Sequence, residues 1–161
     1  MDLHPPARAL APASSPSVTG AAYGMTRVER LDELVELVHA AGPAYVRFSA
    51  GPEADAAGTS RDGESGAELP GLSVNRLQPE PWWDRPARVW IARQLVQYAH
   101  LGAREERVAW VLTGREVGRG PDSEPLVADV VPVALLAGTV LDEAVTVYRE
   151  ALSPGRVPDG P

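Results

Sequence analysis

Two long apolar runs follow one another with no helical segment between them. They are "RVAWVLTGREVG" (107–118) and "PLVADVVPVALL" (125–136), and the stretch "GRGPDSEPLV" (118–127) brings glycines, proline and two acids between them. Apolar runs bounded by Gly and Pro are typical of strands. We predict two consecutive strands, with a β-bulge at Gly114 and with Pro132 on an edge or at a strand end. A doubly wound parallel sheet, which needs a Gly-rich turn between strand and helix, is excluded.

Three other segments show the apolar spacing of amphipathic helices. In the first, Thr26 and Glu29 have the spacing of a capping box, and "GP" at 42–43 ends the segment. The second covers 87–102 and the third covers 139–152. The positions predicted to form their buried faces are, in chain order, Leu31, Leu34, Val35 and Val38; Ile91, Leu95 and Tyr98; and Leu141, Val145, Tyr148 and Leu152.

Two further strands are predicted between the first two helices. Residues 44–50, "AYVRFSA", alternate in polarity, and residues 72–77, "LSVNRL", form a shorter run. The segment 51–71 between them has five glycines and no period; a loop of about twenty residues in a compact domain is usually functional or disordered. The order of elements predicts an α+β domain, with a small mixed or mainly antiparallel sheet of about four strands and three packed helices.

The composition indicates one globular domain. The chain has 161 residues, of which 44% are hydrophobic. Residues 1–24 are rich in Pro, Ala and Ser, so we predict a disordered tail there, a single globular domain over 25–152 and a flexible tail over 153–161. Cysteine is absent, which excludes disulfides, thiol nucleophiles and Cys-based zinc sites.

The net charge restricts the class of partner. At −7 it disfavours a nucleic-acid binder, which needs basic clusters. No apolar stretch approaches a membrane span, and the N-terminal stretch lacks the apolar core of a signal peptide, so we expect a cytoplasmic protein. His4, His39 and His100 have no ligand spacing, and we expect no metal. A small-molecule nucleotide or a protein acceptor remains as partner, and the sequence does not indicate the oligomeric state.

Arg47 lies inside a predicted strand, between Val46 and Phe48. A desolvated guanidinium without a partner is costly, so this residue must find an anion. One interpretation is a structural ion pair or an edge residue that extends to solvent. The other is a clamp for a phosphate or carboxylate ligand, which the planar fork of arginine suits.

Other candidate binding residues flank the second short strand. Ser73 and Asn75 project from one face and would either line a pocket or form solvated and local turn contacts. Trp82 and Trp83 precede the second helix. Such a pair usually fills the gap between helix and sheet, and the alternative is that one ring, here assigned to Trp83, stacks on a planar ligand.

The loop before the last strand contains the candidate catalytic residues. Asp122 and Glu124 face the same way in an extended segment, and two close carboxylates can prepare one of them for acid or base chemistry. The alternative is ordinary acidic turn chemistry. Pro125 favours an extended Glu124 at the rim of the sheet, from which it would reach a cleft.

Arg47 in "YVRFS", Ser73 in "GLSVN" and Glu124 in "DSEPLV" occur in the chain order of the Arg-Ser-Glu pattern of ADP-ribosyltransferases, and the chain resembles that family in these residues. The family's Ser is usually followed by Thr and Ser, whereas this chain has Val74 and Asn75. The resemblance implies that Arg47 and Ser73 hold NAD and that Glu124 stabilises the oxocarbenium ion.

A second resemblance covers more of the chain. Residues 44–136, with "PWW", "GLSVN" and "VGRGPD", resemble a family of uncharacterised actinobacterial proteins without an assigned function. Two hypotheses follow. The first is an NAD- or nucleotide-binding domain of the ADP-ribosyltransferase type, which requires Arg47, Ser73 and Glu124 to line one cavity. The second is a non-catalytic module that binds a protein or metabolite through the loop 51–71 and the tryptophan pair.

Overall fold

The computed structural model describes residues 25–97 and 107–152. The predicted tails, and the end of the second helix with Tyr98 and Gly102, lie outside this part of the chain. In chain order the described elements are β1 (Thr26–Val28), α1 (Leu31–Ala41), β2 (Tyr45–Ser49), β3 (Leu72–Ser73), β4 (Asn75–Arg76), α2 (Ala87–Val96), β5 (Val108–Arg119), β6 (Pro125–Leu136) and α3 (Gly138–Leu152).

The predicted α+β class is confirmed, with three helices against a mixed sheet. The sheet order is β1-β6-β5-β2-β4, and β3 pairs separately with β6. Only β1 lies parallel to its neighbour among the described strands; the other pairs are antiparallel. The register of the long β5–β6 hairpin shifts between Thr113 and Arg115, which confirms the predicted bulge at Gly114.

The predicted start of the first helix is wrong. Thr26 belongs to β1, where it pairs with Ala134 of β6. The helix begins at Leu31, and the side chain of its N-cap residue, Arg30, makes no capping hydrogen bond. The Glu143 carboxylate of α3 accepts the Leu31 N–H instead, at 2.7 Å. Pairing with a distant strand therefore prevails over the local capping pattern of residues 26–29.

The predicted strand 72–77 is two strands with different partners. Leu72 and Ser73 pair with β6, whereas Asn75 and Arg76 pair with β2, and only Val74 separates the two pairs. β6 and β2 lie on opposite sides of β5 in the sheet. The segment 72–76 therefore joins the two sides, and the sheet closes on itself.

Two hydrophobic cores lie on the two faces of β2, as its alternation predicts. Val46 and Phe48 contact the helices, whereas Tyr45 packs inside the closed sheet with Trp110 and Leu112. The core under the helices includes the predicted residues Leu31, Leu34 and Val38 of α1 and Ile91 and Leu95 of α2.

The buried face of α3 differs from the predicted one. Val140 and Ala144 are fully buried, whereas Leu141 and Val145 are only partly buried. The α3 helix packs mainly on α2. A small side chain at position 144 allows the two helix backbones to approach closely, so the contact is centred on alanine rather than on the larger apolar residues.

Gly71 sits where the sheet closes. A Cβ atom at this position would lie 2.8 Å from the Val127 carbonyl oxygen and 2.9 Å from its amide nitrogen. We expect Gly71→Ala to lower the free energy of unfolding by about 2 kcal/mol, because backbone atoms must move apart. Gly63→Ala, where no atom lies within 4 Å of the added carbon, is the control and should change it by less than about 0.5 kcal/mol. Equal effects in urea unfolding would contradict the close approach.

Candidate functional site

Arg47 is held by an ion pair that comes from the long loop. Its Nε and Nη2 donate to the Asp55 carboxylate at 2.7 and 3.0 Å, and its Nη1 donates to the Ser73 carbonyl at 2.8 Å. The two side chains are only 18% and 12% exposed. All three guanidinium nitrogens are therefore engaged within the protein, which matches the structural ion-pair interpretation.

Burial alone would raise the pKa of Asp55. Hydrogen bonds from Arg47 and Ser49, together with the charges of Arg47 and Arg107, outweigh it and lower that pKa below the ordinary value. The sequence did not identify Asp55. The only sequence feature that pointed to Asp55 was the acidic content of the loop that directly follows the strand of Arg47.

Glu124 is fixed at the end of the β5–β6 loop. Its Oε1 accepts the Ser73 hydroxyl at 2.8 Å and its Oε2 accepts the Asp122 N–H at 2.9 Å. The carboxylate folds over Gly120, where a Cβ atom would overlap it. Ser123 adopts a φ of 64°, a conformation uncommon for a residue with a side chain. The loop is thus shaped around this one carboxylate.

A cavity of about 460 Å³ lies beside these residues. Its volume falls within the range of small-molecule sites. Its wall combines arginines, acids, side-chain amides and two aromatic rings: Arg47, Phe48, Ser73, Asn75, Arg76, Glu80, Trp90, Gln94, Gln97, Arg107, Arg119, Asp122, Ser123, Glu124 and Pro125.

The structure brings five of the six predicted site residues to this cavity: Arg47, Ser73, Asn75, Asp122 and Glu124. Trp83 is not among the lining residues. Its ring lies 5.2 Å from that of Trp90, edge to face, and it packs against the core beneath the helices, as expected of a gap-filling residue. Trp90, which the sequence did not indicate as a site residue, lines the wall instead.

Arg76 is a further cavity residue that the sequence did not indicate. Its Nε is buried and has no hydrogen-bond partner among the described residues. Across the β2–β4 pair it stands opposite Tyr45. Burial, and a 2.9 Å hydrogen bond to the Glu116 carboxylate with its negative charge, raise the pKa of Tyr45 to about 12, although the charges of Arg76 and Arg119 oppose this.

Gln94 adds a second buried polar group. The residue is 8% exposed and lines the cavity. Buried polar groups are normally hydrogen-bonded. The Gln94 amide therefore borders the same space as the buried Nε of Arg76, which has no partner in the described part of the chain.

A smaller cavity of about 300 Å³ shares Ser73, Asp122 and Glu124 with the larger one. Apart from Pro121, its remaining wall comes from the loop 51–71 and includes Arg61 and Asp62. The Ser73–Glu124 pair therefore faces both spaces. The loop 51–71, with one bridge between Arg61 and Glu68, supplies both this wall and the partner of Arg47.

Two general findings concern the part of the chain that the structure describes. Within it, no group of three or more His, Cys, Asp or Glu side chains is arranged to hold a metal ion. None of its helices is long and apolar enough to cross a membrane. Of the three histidines, only His39 lies in this part, exposed near the end of α1.

Residues 21–157 match the model of a family of unknown function, DUF6098. The chain belongs to this family. The match covers the segment for which the sequence indicated an uncharacterised family, whereas the actinobacterial origin stays a prediction. No curated protein and no solved structure matches the chain.

The Arg47–Asp55 pair makes a testable contribution to stability. A carboxylate whose pKa is lowered by folding stabilises the protein above its unfolded-state pKa, about 3.9 for aspartate, and this contribution is lost as the pH falls through the lower folded-state value. We expect Asp55→Asn to lower the free energy of unfolding by about 3 kcal/mol at neutral pH. The variant should also lose this part of the acid dependence in urea unfolding.

Asp32→Asn is the matched control. Asp32 pairs with Arg88 at 2.9 Å, but both side chains are exposed, and such pairs contribute about 0.5 kcal/mol. If Asp55→Asn and Asp32→Asn lower the free energy of unfolding by the same amount, the ion pair of Arg47 does not stabilise the fold.

Proposed function

We propose that the protein binds a small phosphate- or carboxylate-bearing metabolite of the nucleotide class in the larger cavity. The observation that carries this proposal is the guanidinium of Arg76, whose buried Nε has no partner among the described residues. A buried polar nitrogen without a hydrogen-bond partner is costly. An anionic ligand would remove that cost on binding, because guanidinium groups bind phosphates and carboxylates through paired hydrogen bonds.

The rest of the wall suits a ligand with a ring and hydroxyl groups. Trp90 and Phe48 provide apolar contact, while Asn75, Gln94 and Gln97 offer side-chain amides for hydrogen bonds. Ligand sites commonly combine apolar area with a few such polar groups. A volume of about 460 Å³ favours a mononucleotide-sized ligand or one half of a dinucleotide.

A second candidate function is transfer or hydrolysis at the glycosidic bond of NAD. Its support is that Arg47, Ser73 and Glu124 line one cavity and are linked by hydrogen bonds, from Arg47 to the Ser73 carbonyl and from the Ser73 hydroxyl to Glu124. In this proposal Arg47 positions Ser73, and Arg76 takes the phosphate contact, since Arg47 is already paired with Asp55. Glu124 would stabilise the positive charge that develops at the anomeric carbon.

Ligand binding is tested by calorimetric titration and thermal shift with AMP, nicotinamide mononucleotide and NAD. We expect saturable binding of at least one, weakened about 10- to 100-fold in Arg76→Gln by loss of a charged hydrogen bond. The ligand-free variant should be at least as stable as the wild type, since no ion pair within the described residues is lost. Arg115→Gln, outside the cavity wall, is the control. Absence of binding at millimolar concentrations would refute the proposal.

Catalysis is tested by chromatographic detection of nicotinamide released from NAD. We expect Glu124→Gln to lower the release rate at saturating NAD by about 100-fold or more, well beyond any loss of NAD affinity, because the carboxylate acts most strongly on charge that develops in the transition state. Binding of NAD without release by the wild type would leave the non-catalytic binding function and eliminate the transferase candidate.

A further inference from the structure

The wall of the larger cavity includes Arg76 and Glu124, which form no ion pair with each other or with another side chain of the described residues. Within residues 25–97 and 107–152, the Glu124 carboxylate accepts hydrogen bonds only from the Ser73 hydroxyl and the Asp122 N–H, and the buried Nε of Arg76 has no hydrogen-bond partner. Two of the three other arginines of the wall differ in this respect: Arg47 pairs with Asp55, and Arg119 lies 3.7 Å from Glu116.

The Glu124 carboxylate cannot easily move away from this space. Two hydrogen bonds hold its oxygens, and its carboxyl group occupies the position that a side chain on Gly120 would fill. A fixed carboxylate at the wall repels a ligand that carries only negative charge. A ligand with a positive nitrogen would be attracted to the same group, because the interaction of charges is strong where water is partly excluded.

We propose that the ligand is a zwitterion, with an anionic group bound by Arg76 and a positively charged nitrogen bound by Glu124. This inference rests on the proposed function, since it concerns the same cavity, and it specifies the charge pattern of the ligand. Oxidised nicotinamide nucleotides, with a phosphate and a cationic ring, carry that pattern. So do small amino acids and their derivatives, which present a carboxylate and an ammonium group.

The test compares nicotinamide mononucleotide with its reduced form. The two share the ribose, the phosphate and nearly the same volume, and they differ in the positive charge of the ring. Titration calorimetry at one mildly alkaline pH and one ionic strength should show about tenfold tighter binding of the oxidised form. Free amino acids with cationic or neutral side chains form a second arm, which distinguishes the carboxylate–ammonium source of the pattern from the nucleotide.

Variants of the two charged residues separate their roles. Glu124→Gln should bring the affinity ratio of the oxidised and reduced forms to about one, with binding of the reduced form retained or improved. Arg76→Gln should weaken the binding of the oxidised and reduced forms by the same factor. Glu150→Gln, which removes an exposed carboxylate of α3, should leave the ratio unchanged.

Each outcome decides one of the two proposals. Equal affinity for the oxidised and reduced forms in the wild type, with no amino acid bound, refutes the zwitterion and leaves an anion site. A preference for the oxidised form that persists in Glu124→Gln also refutes the zwitterion, because another group must then interact with the positive charge of the ring. If no nucleotide binds, the proposed function itself fails, and if no amino acid binds either, the zwitterion proposal fails with it.

Discussion

The desolvated guanidinium of Arg47 is the constraint on which the site depends. It lies within a central strand of the sheet, so it needs an anion inside the protein. Asp55 provides one, and this fixes the path of the long loop after β2. The third nitrogen binds the Ser73 carbonyl, and the Ser73 hydroxyl binds Glu124. One buried charge therefore sets the relative positions of a loop, a short strand and the end of a hairpin.

Closure of the sheet adds the second constraint. Because Val74 alone separates the residues that pair with β6 from those that pair with β2, the segment 72–76 cannot shift without breaking both pairings. Its side chains alternate, so Leu72 and Val74 enter the inner core while Ser73 and Asn75 line the cavity. The same closure that completes the core thus presents polar groups to the site at fixed positions.

The sequence predicted those parts of the molecule that depend on local pattern. The alternation of β2, the long hairpin with its bulge at Gly114 and the buried stripe of α1 all follow from apolar spacing. It did not predict β1, because that strand depends on pairing with residues about one hundred positions later. It missed Asp55 and Arg76 for a related reason. Whether an arginine has a partner is decided by which loops and strands meet around it in space.

Arg47 and Arg76 show why residue type and chain order were insufficient to assign the binding role. Both are arginines on strands that pair with each other, and both line the same cavity. The Arg-Ser-Glu pattern selects Arg47. An incoming anion would have to compete there with Asp55 for guanidinium N–H groups that are already hydrogen-bonded. At Arg76 the same anion displaces no protein partner among the described residues. Under the proposed function, the gain in free energy on binding would therefore be larger at Arg76 than at Arg47, so the pairing of charges within the cavity, rather than the sequence pattern, selects the proposed binding residue.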